Sequence, residues 1–231
     1  MKHSIFFLLA MLLFVGGCSD NNQEKMNLLL DEYVKSNNQS YINDLMGIAH
    51  NILLENQKPL NYPISNTEKY HFDTKTAQML IERGQFEAAV LLYKISSNGR
   101  DKFLTDELFQ LMNTTYKGDD PRINYFIAIG LKSHNHLKSS YYRASKAGLK
   151  DPGVYGDDIV TLLDHYGCSF EADVWKELSI QGDSDLLPEY HGENYPKQPN
   201  KSLDEILVAR KQIRFGQIPE LTDKCPITQY D

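Results

Sequence analysis

Long apolar runs, an excess of basic charge and plentiful cysteine are all missing from this chain of 231 residues. The longest unbroken apolar stretch, Ile5 to Val15, has eleven residues, whereas a helix that crosses a bilayer needs about 20. Lys and Arg number 24 against 31 Asp and Glu, a formal charge of −7, and the two signs are interspersed. Phosphate binding needs a basic stripe that releases counterions, so a nucleic-acid partner is excluded. Three cysteines are too few for a disulfide-dense miniprotein, and 14 Gly and 9 Pro are too few for collagen. What is present, 41% hydrophobic residues with ordinary charge density, suffices to bury a core.

The first residues form an address. Met1-Lys2-His3-Ser4 precedes the apolar run, and Gly16-Gly17-Cys18-Ser19-Asp20 follows it, the order of a secretory signal peptide. Small residues directly before a cysteine let the backbone lie extended in a peptidase site. Val15-Gly16-Gly17-Cys18 resembles the lipobox of bacterial lipoproteins; the plain alternative is an ordinary signal peptide with a chance cysteine. The resemblance implies cleavage of residues 1–17, lipid modification of Cys18 and a periplasmic protein held by its lipid. Ser19, rather than Asp, after the cysteine resembles the outer-membrane default rather than an inner-membrane retention signal. Several acyl chains hold such a protein on a membrane without basic residues.

With Cys18 used for lipid, Cys168 and Cys225 remain, an even pair in a compartment where disulfides persist. Whether they pair depends on their Cα atoms approaching within about 7 Å. As metal ligands they lack partners: no Cys-x-x-Cys is present, and His165-x-x-Cys168 has no second ligand pair.

Residues 18–25 are polar and read as a tether, and residues 26–73 as an N-terminal helical segment and loop. Apolar residues three and four apart in Met26 to Val34 and in Tyr41 to Leu54 predict two amphipathic helices. Pro59, Pro63 and Ser65-Asn66-Thr67 break the pattern. From residue 74 to 187 the signal is helix after helix. Gly84, Gly99, Gly118, Gly148, Gly167 and Gly182 stand where a left-handed residue ends a helix. Asp120-Pro121 and Asp151-Pro152 pair an N-cap acceptor with proline at N1, although Gly153 and Gly156 can delay the second helix; Ser169 is a further cap candidate. Residues 188–231 comprise a proline-broken loop, a last helix with the capping box Ser202-Leu203-Asp204-Glu205, and an extended strap. Ile206, Leu207, Ile213 and Phe215 are expected to form the buried stripe of that helix. No alternating apolar pattern with clustered β-branched residues appears, so the fold class is all-α.

Three segments align on terminal glycines: Leu92 to Gly99, Tyr141 to Gly148 and Trp175 to Gly182. Each places a large apolar residue seven positions before the glycine (Leu92, Tyr141, Trp175) and a smaller one four before it (Ile95, Ala144, Leu178). Eleven before it stand Ala88, Leu137 and the exception Glu171. The glycines are 49 and 34 residues apart; 34 is the tetratricopeptide period, and 49 adds about one helix, which Ile123 to Lys132 would supply. Tyr141-Tyr142-Arg143-Ala144-Ser145-Lys146-Ala147-Gly148 is similar to the second-helix ending of SEL-like repeats, and Phe86-Glu87-Ala88-Ala89 and Phe170-Glu171-Ala172 resemble the helix start before it. The resemblance covers residues 75–190. It implies an irregular α-α superhelix of SEL-like, TPR-like helix pairs, with helical extensions at both ends. Three unrelated amphipathic helices ending in glycine are the bland alternative.

No signature of chemistry stands out. Gly-x-Ser-x-Gly, Ser-x-x-Lys, His-Glu-x-x-His, a calcium loop and a phosphate loop are absent. The expectation is a non-enzyme with no cofactor and no metal. His134-Asn135-His136 reads as a solvated loop. Asp119-Asp120, Asp157-Asp158 and Asp183-x-Asp185 read as acids at helix starts. Tyr141 and Trp175 are assigned to the core, and Tyr142, Tyr190, His191 and Tyr195 to a surface for a partner. The expected partner is a periplasmic protein, with the membrane met through the N-terminal lipid. Lipoproteins resembling SEL-like repeat proteins include immunity proteins against periplasmic antibacterial toxins; an envelope assembly scaffold and an enzyme of unrecognised type are the alternatives.

Overall fold

The computed structural model describes residues 20–56, 70–96, 103–181 and 203–230. The leader, Cys18, the capping-box Ser202 and the cluster Tyr190, His191 and Tyr195 lie outside these residues. The described chain is all-helical. Its ten α-helices are α1 (Asp20–Ser36), α2 (Gln39–Asn56), α3 (Thr74–Glu82), α4 (Phe86–Ile95), α5 (Asp106–Thr115), α6 (Pro121–Ser133), α7 (Leu137–Lys150), α8 (Pro152–His165), α9 (Ser169–Gln181) and α10 (Leu203–Arg214), followed by a 3-10 turn, Pro226–Gln229. A lone parallel bridge joins Tyr70 and Ser96, and no strand is formed among the described residues. None of these helices is long and apolar enough to cross a membrane. The chain divides into two compact units, Met1–Leu104 and Thr105–Asp231. The division falls after α4.

In unit 1, α2 packs on α1 and α4, and α4 on α3. The expected periodicity is realised: Met26, Leu30 and Tyr33 of α1, and Ile42, Leu45, Ala49 and Ile52 of α2, are buried. Asp20 to Lys25, read as tether, belong to the first turns of α1, and Gln23 binds both the N–H (2.7 Å) and the carbonyl (3.2 Å) of His71. Asp73 caps α3 by accepting from Thr76 N at 2.8 Å.

In unit 2, consecutive helices α5 to α10 pack on one another in chain order. Asp120 accepts from Arg122 N at 2.8 Å and Asp151 from Val154 N at 3.1 Å, each followed by proline, as the sequence predicts. Gly153 and Gly156 do not delay α8, which starts at Pro152.

Three helix pairs, α3–α4, α6–α7 and α8–α9, turn in the same way. Gly84, Asn135 and Gly167 adopt φ of 73°, 71° and 75°. In each, the next residue's N–H returns to a leucine carbonyl: Gln85 to Leu80 (2.7 Å), His136 to Leu131 (2.9 Å) and Cys168 to Leu163 (2.8 Å). All three leucines are fully buried. These turns, not the terminal glycines, are the shared feature. Gly148 is no terminator; it lies inside α7. Counted from the turn, Tyr141 is two positions out of step with Leu92 and Trp175, and Arg143 stands in their place. Gly118 lies between helices with no positive φ, while Gly99 and Gly182 lie outside the described residues.

Candidate functional site

α6 and α8, the first helices of their pairs, meet through side chains at the surface of unit 2. The Tyr125 hydroxyl donates to Asp158 Oδ2, and the Tyr125 and Tyr155 rings lie 4.9 Å apart at 46°. Burial, then the hydrogen bond to Asp158 and its charge, push the Tyr125 hydroxyl well above the ordinary tyrosine range. Burial first, and then Asp151, raise Tyr155 too. The Tyr125 hydroxyl is thereby held in its protonated, donating form. Around them, Ile129 of α6 is 50% exposed and Val154 of α8 is 59% exposed. Asp151, Asp157 and Asp158 give the patch an acidic edge, while Arg122 is paired with Asp120 at 2.7 Å. That hydrogen bond holds the Asp120 carboxyl below its usual value. Half-buried aromatic rings beside exposed aliphatics make this a candidate protein-binding patch.

The aspartates correct the sequence expectation. Asp157 and Asp158 lie inside α8 and not at its start, so they cap nothing. The Tyr125–Asp158 contact spans two helix pairs, and no local pattern signals it.

Tyr142 is half-buried and leans on the core of unit 2, its ring 5.5 Å from that of Tyr141. Tyr141 and Trp175 are buried as expected. The Tyr141 hydroxyl donates to Pro219 O at 2.9 Å, and burial raises its pKa to about 12. The segment 134–136 is a tight turn and not a solvated loop. His134 rests on Phe109 with ring centroids 5.8 Å apart, and His136 Nε2 lies 2.9 Å from Asp106 Oδ1.

Cys168 and Cys225 are joined, with Cα atoms 4.6 Å apart. Glu171 lies beside them, and these three form the one group of potential metal ligands among the described residues. The sulfurs are spent on each other, so the group is not a metal centre. Glu171, the polar exception in the repeat register, is 3% exposed and accepts from Thr222 N at 2.8 Å. It thus ties the tail to α9. Phe215, expected in the stripe of α10, is instead 73% exposed, while Ile213 and Ala209 are buried and Ile206 is half-buried.

Sequence reasoning missed Arg143. It is buried in α7 with no carboxylate partner among the described residues, and donates to Asn113 Oδ1 (2.7 Å), Asn124 Oδ1 (2.8 Å), Tyr116 O (3.0 Å) and Asn113 O. It stands over the Tyr116 ring as well. This network closes the end of α5 onto α6 and α7.

No family model, no curated protein and no solved structure matches the chain.

Proposed function

We propose that the protein is a lipid-anchored envelope protein that binds a protein partner, and that the partner is a periplasmic antibacterial toxin which it neutralises as an immunity protein. The observation that carries the binding reading is the Tyr125–Tyr155–Asp158 patch with Ile129 and Val154 exposed beside it. Its acidic edge suits a basic partner, because opposite charge steers encounter and disfavours wrong partners. The lipobox-like Val15-Gly16-Gly17-Cys18 supports the anchor, with the outer membrane as destination. The immunity role rests on fold-level analogy.

Cells lacking the gene are expected to die when the product of the adjacent open reading frame is directed to their periplasm. The intact gene restores growth, and Y125A/Y155A does not. Equal survival with and without the gene rejects the immunity role. Full rescue by Y125A/Y155A moves the interface off this patch.

A further inference from the structure

We infer that unit 2 carries a second docking site, the groove between α10 and the extended segment 217–222, shaped for a cationic, apolar-flanked segment of a partner polypeptide. The groove encloses about 660 Å³. Phe170 at the start of α9, Val208 on α10, and Ile218 and Pro219 on the tail supply apolar surface, and Glu205 and Glu220 line it as well. The described lining contains no lysine or arginine, and neither glutamate has an ion pair among the described residues. Two carboxylates beside apolar surface attract a chain that brings positive charge together with large aliphatic or aromatic side chains.

The apolar surface extends beyond the groove. Val208 is 59% exposed, and Phe215, seven residues on and just past the end of α10, is 73% exposed. Single exposed apolar residues are ordinary, but two aligned on one face beside a concavity make a patch.

The tail wall is fixed before any ligand arrives. Gln217 N donates to Gln212 O at 2.9 Å, Pro219 O accepts from Tyr141, Thr222 N donates to Glu171, and Cys225 is bonded to Cys168. A wall already ordered spares the ligand the entropy of ordering it. The groove is built by α9, α10 and the tail, whereas the tyrosine patch is built by α6 and α8, so the two sites can be tested separately.

The test uses the full chain and a fluorescein-labelled peptide of about twelve residues alternating Leu and Lys, titrated by anisotropy. The expected result is binding that both E205Q/E220Q and V208S weaken about tenfold or more, while D157N/D158N and Y125A/Y155A leave it within about twofold. All the altered groove side chains are exposed, and circular dichroism checks that each variant is folded. Any other pattern overturns the proposal. Absence of binding does so directly, and an equal loss in D157N/D158N reveals a general attraction to an acidic chain. The toxin-survival experiment is indifferent to this outcome, so each reading stands or falls alone.

Discussion

A methyl group added at Gly148 would lie 2.6 Å from Ile159 Cδ1 and 2.8 Å from Trp175 Cζ3, closer than carbon atoms approach. Gly148→Ala is therefore expected to destabilise unit 2 by about 1–3 kcal/mol, through overpacking of α7 against α8 and α9. Gly47, in the interior of α2, has nothing within 4 Å of the same position. There alanine restricts only the unfolded chain, and Gly47→Ala should stabilise by about 0.5–1 kcal/mol. Opposite shifts in thermal midpoint check both. At Arg143, replacement by alanine leaves four acceptors without their donor, those of Asn124 and Tyr116 buried and the two of Asn113 part-buried, an expected loss of roughly 3 kcal/mol or more by chemical denaturation. The sequence showed Gly148 as a terminator and Arg143 only as part of a segment similar to a repeat ending. Nothing within a helical turn of either indicates Trp175 or Asn113, which only folding brings near.

The helix starts are the elements the sequence specifies best, because a cap and its amide lie two or three residues apart. Asp73, lowered first by the Thr76 hydroxyl and then by its N–H, and Asp120, lowered first by Arg122, bind protons less readily when folded. Their contribution is complete above the ordinary aspartate value of 3.8 and is lost as pH falls through the lowered folded values. Stability is expected to fall on acidification through that window, and less steeply in Asp120→Asn, as measured by urea unfolding across pH 2–6, a range of about four pH units. The tail is specified less locally. Cysteine count suggested its attachment to the domain, but Glu171 read as a misfit until its bond to Thr222 explained it. The bridge closes a loop with a sequence separation of 57. Cys168→Ser/Cys225→Ser is expected to cost up to about 4 kcal/mol in the loop-entropy model. Faster hydrogen exchange confined to residues 217–230 checks that the tail, and not the helix stack, is what loosens.

For the molecule as a whole, the all-helical class and the run of helices from residue 74 were legible because apolar periodicity repeats over every segment. The division after Leu104 was not, since it depends on which helices bury against each other. The proposed patch was legible least: the sequence pointed to Tyr142, which leans on the core, and not to Tyr125 and Tyr155, whose pairing depends on how α6 and α8 meet. One consequence of the packing around Gly148 concerns observation itself. Trp175 is the chain's one tryptophan, and it lies at the heart of unit 2, against α7 and α8. Indole emission excited at the red edge therefore reports the melting of unit 2 alone, while helical ellipticity sums both units. Superimposed transitions from the two probes would mark a single cooperative molecule. Separated ones would turn a chance distribution of chromophores into a way of watching one half of the protein unfold while the other stays intact.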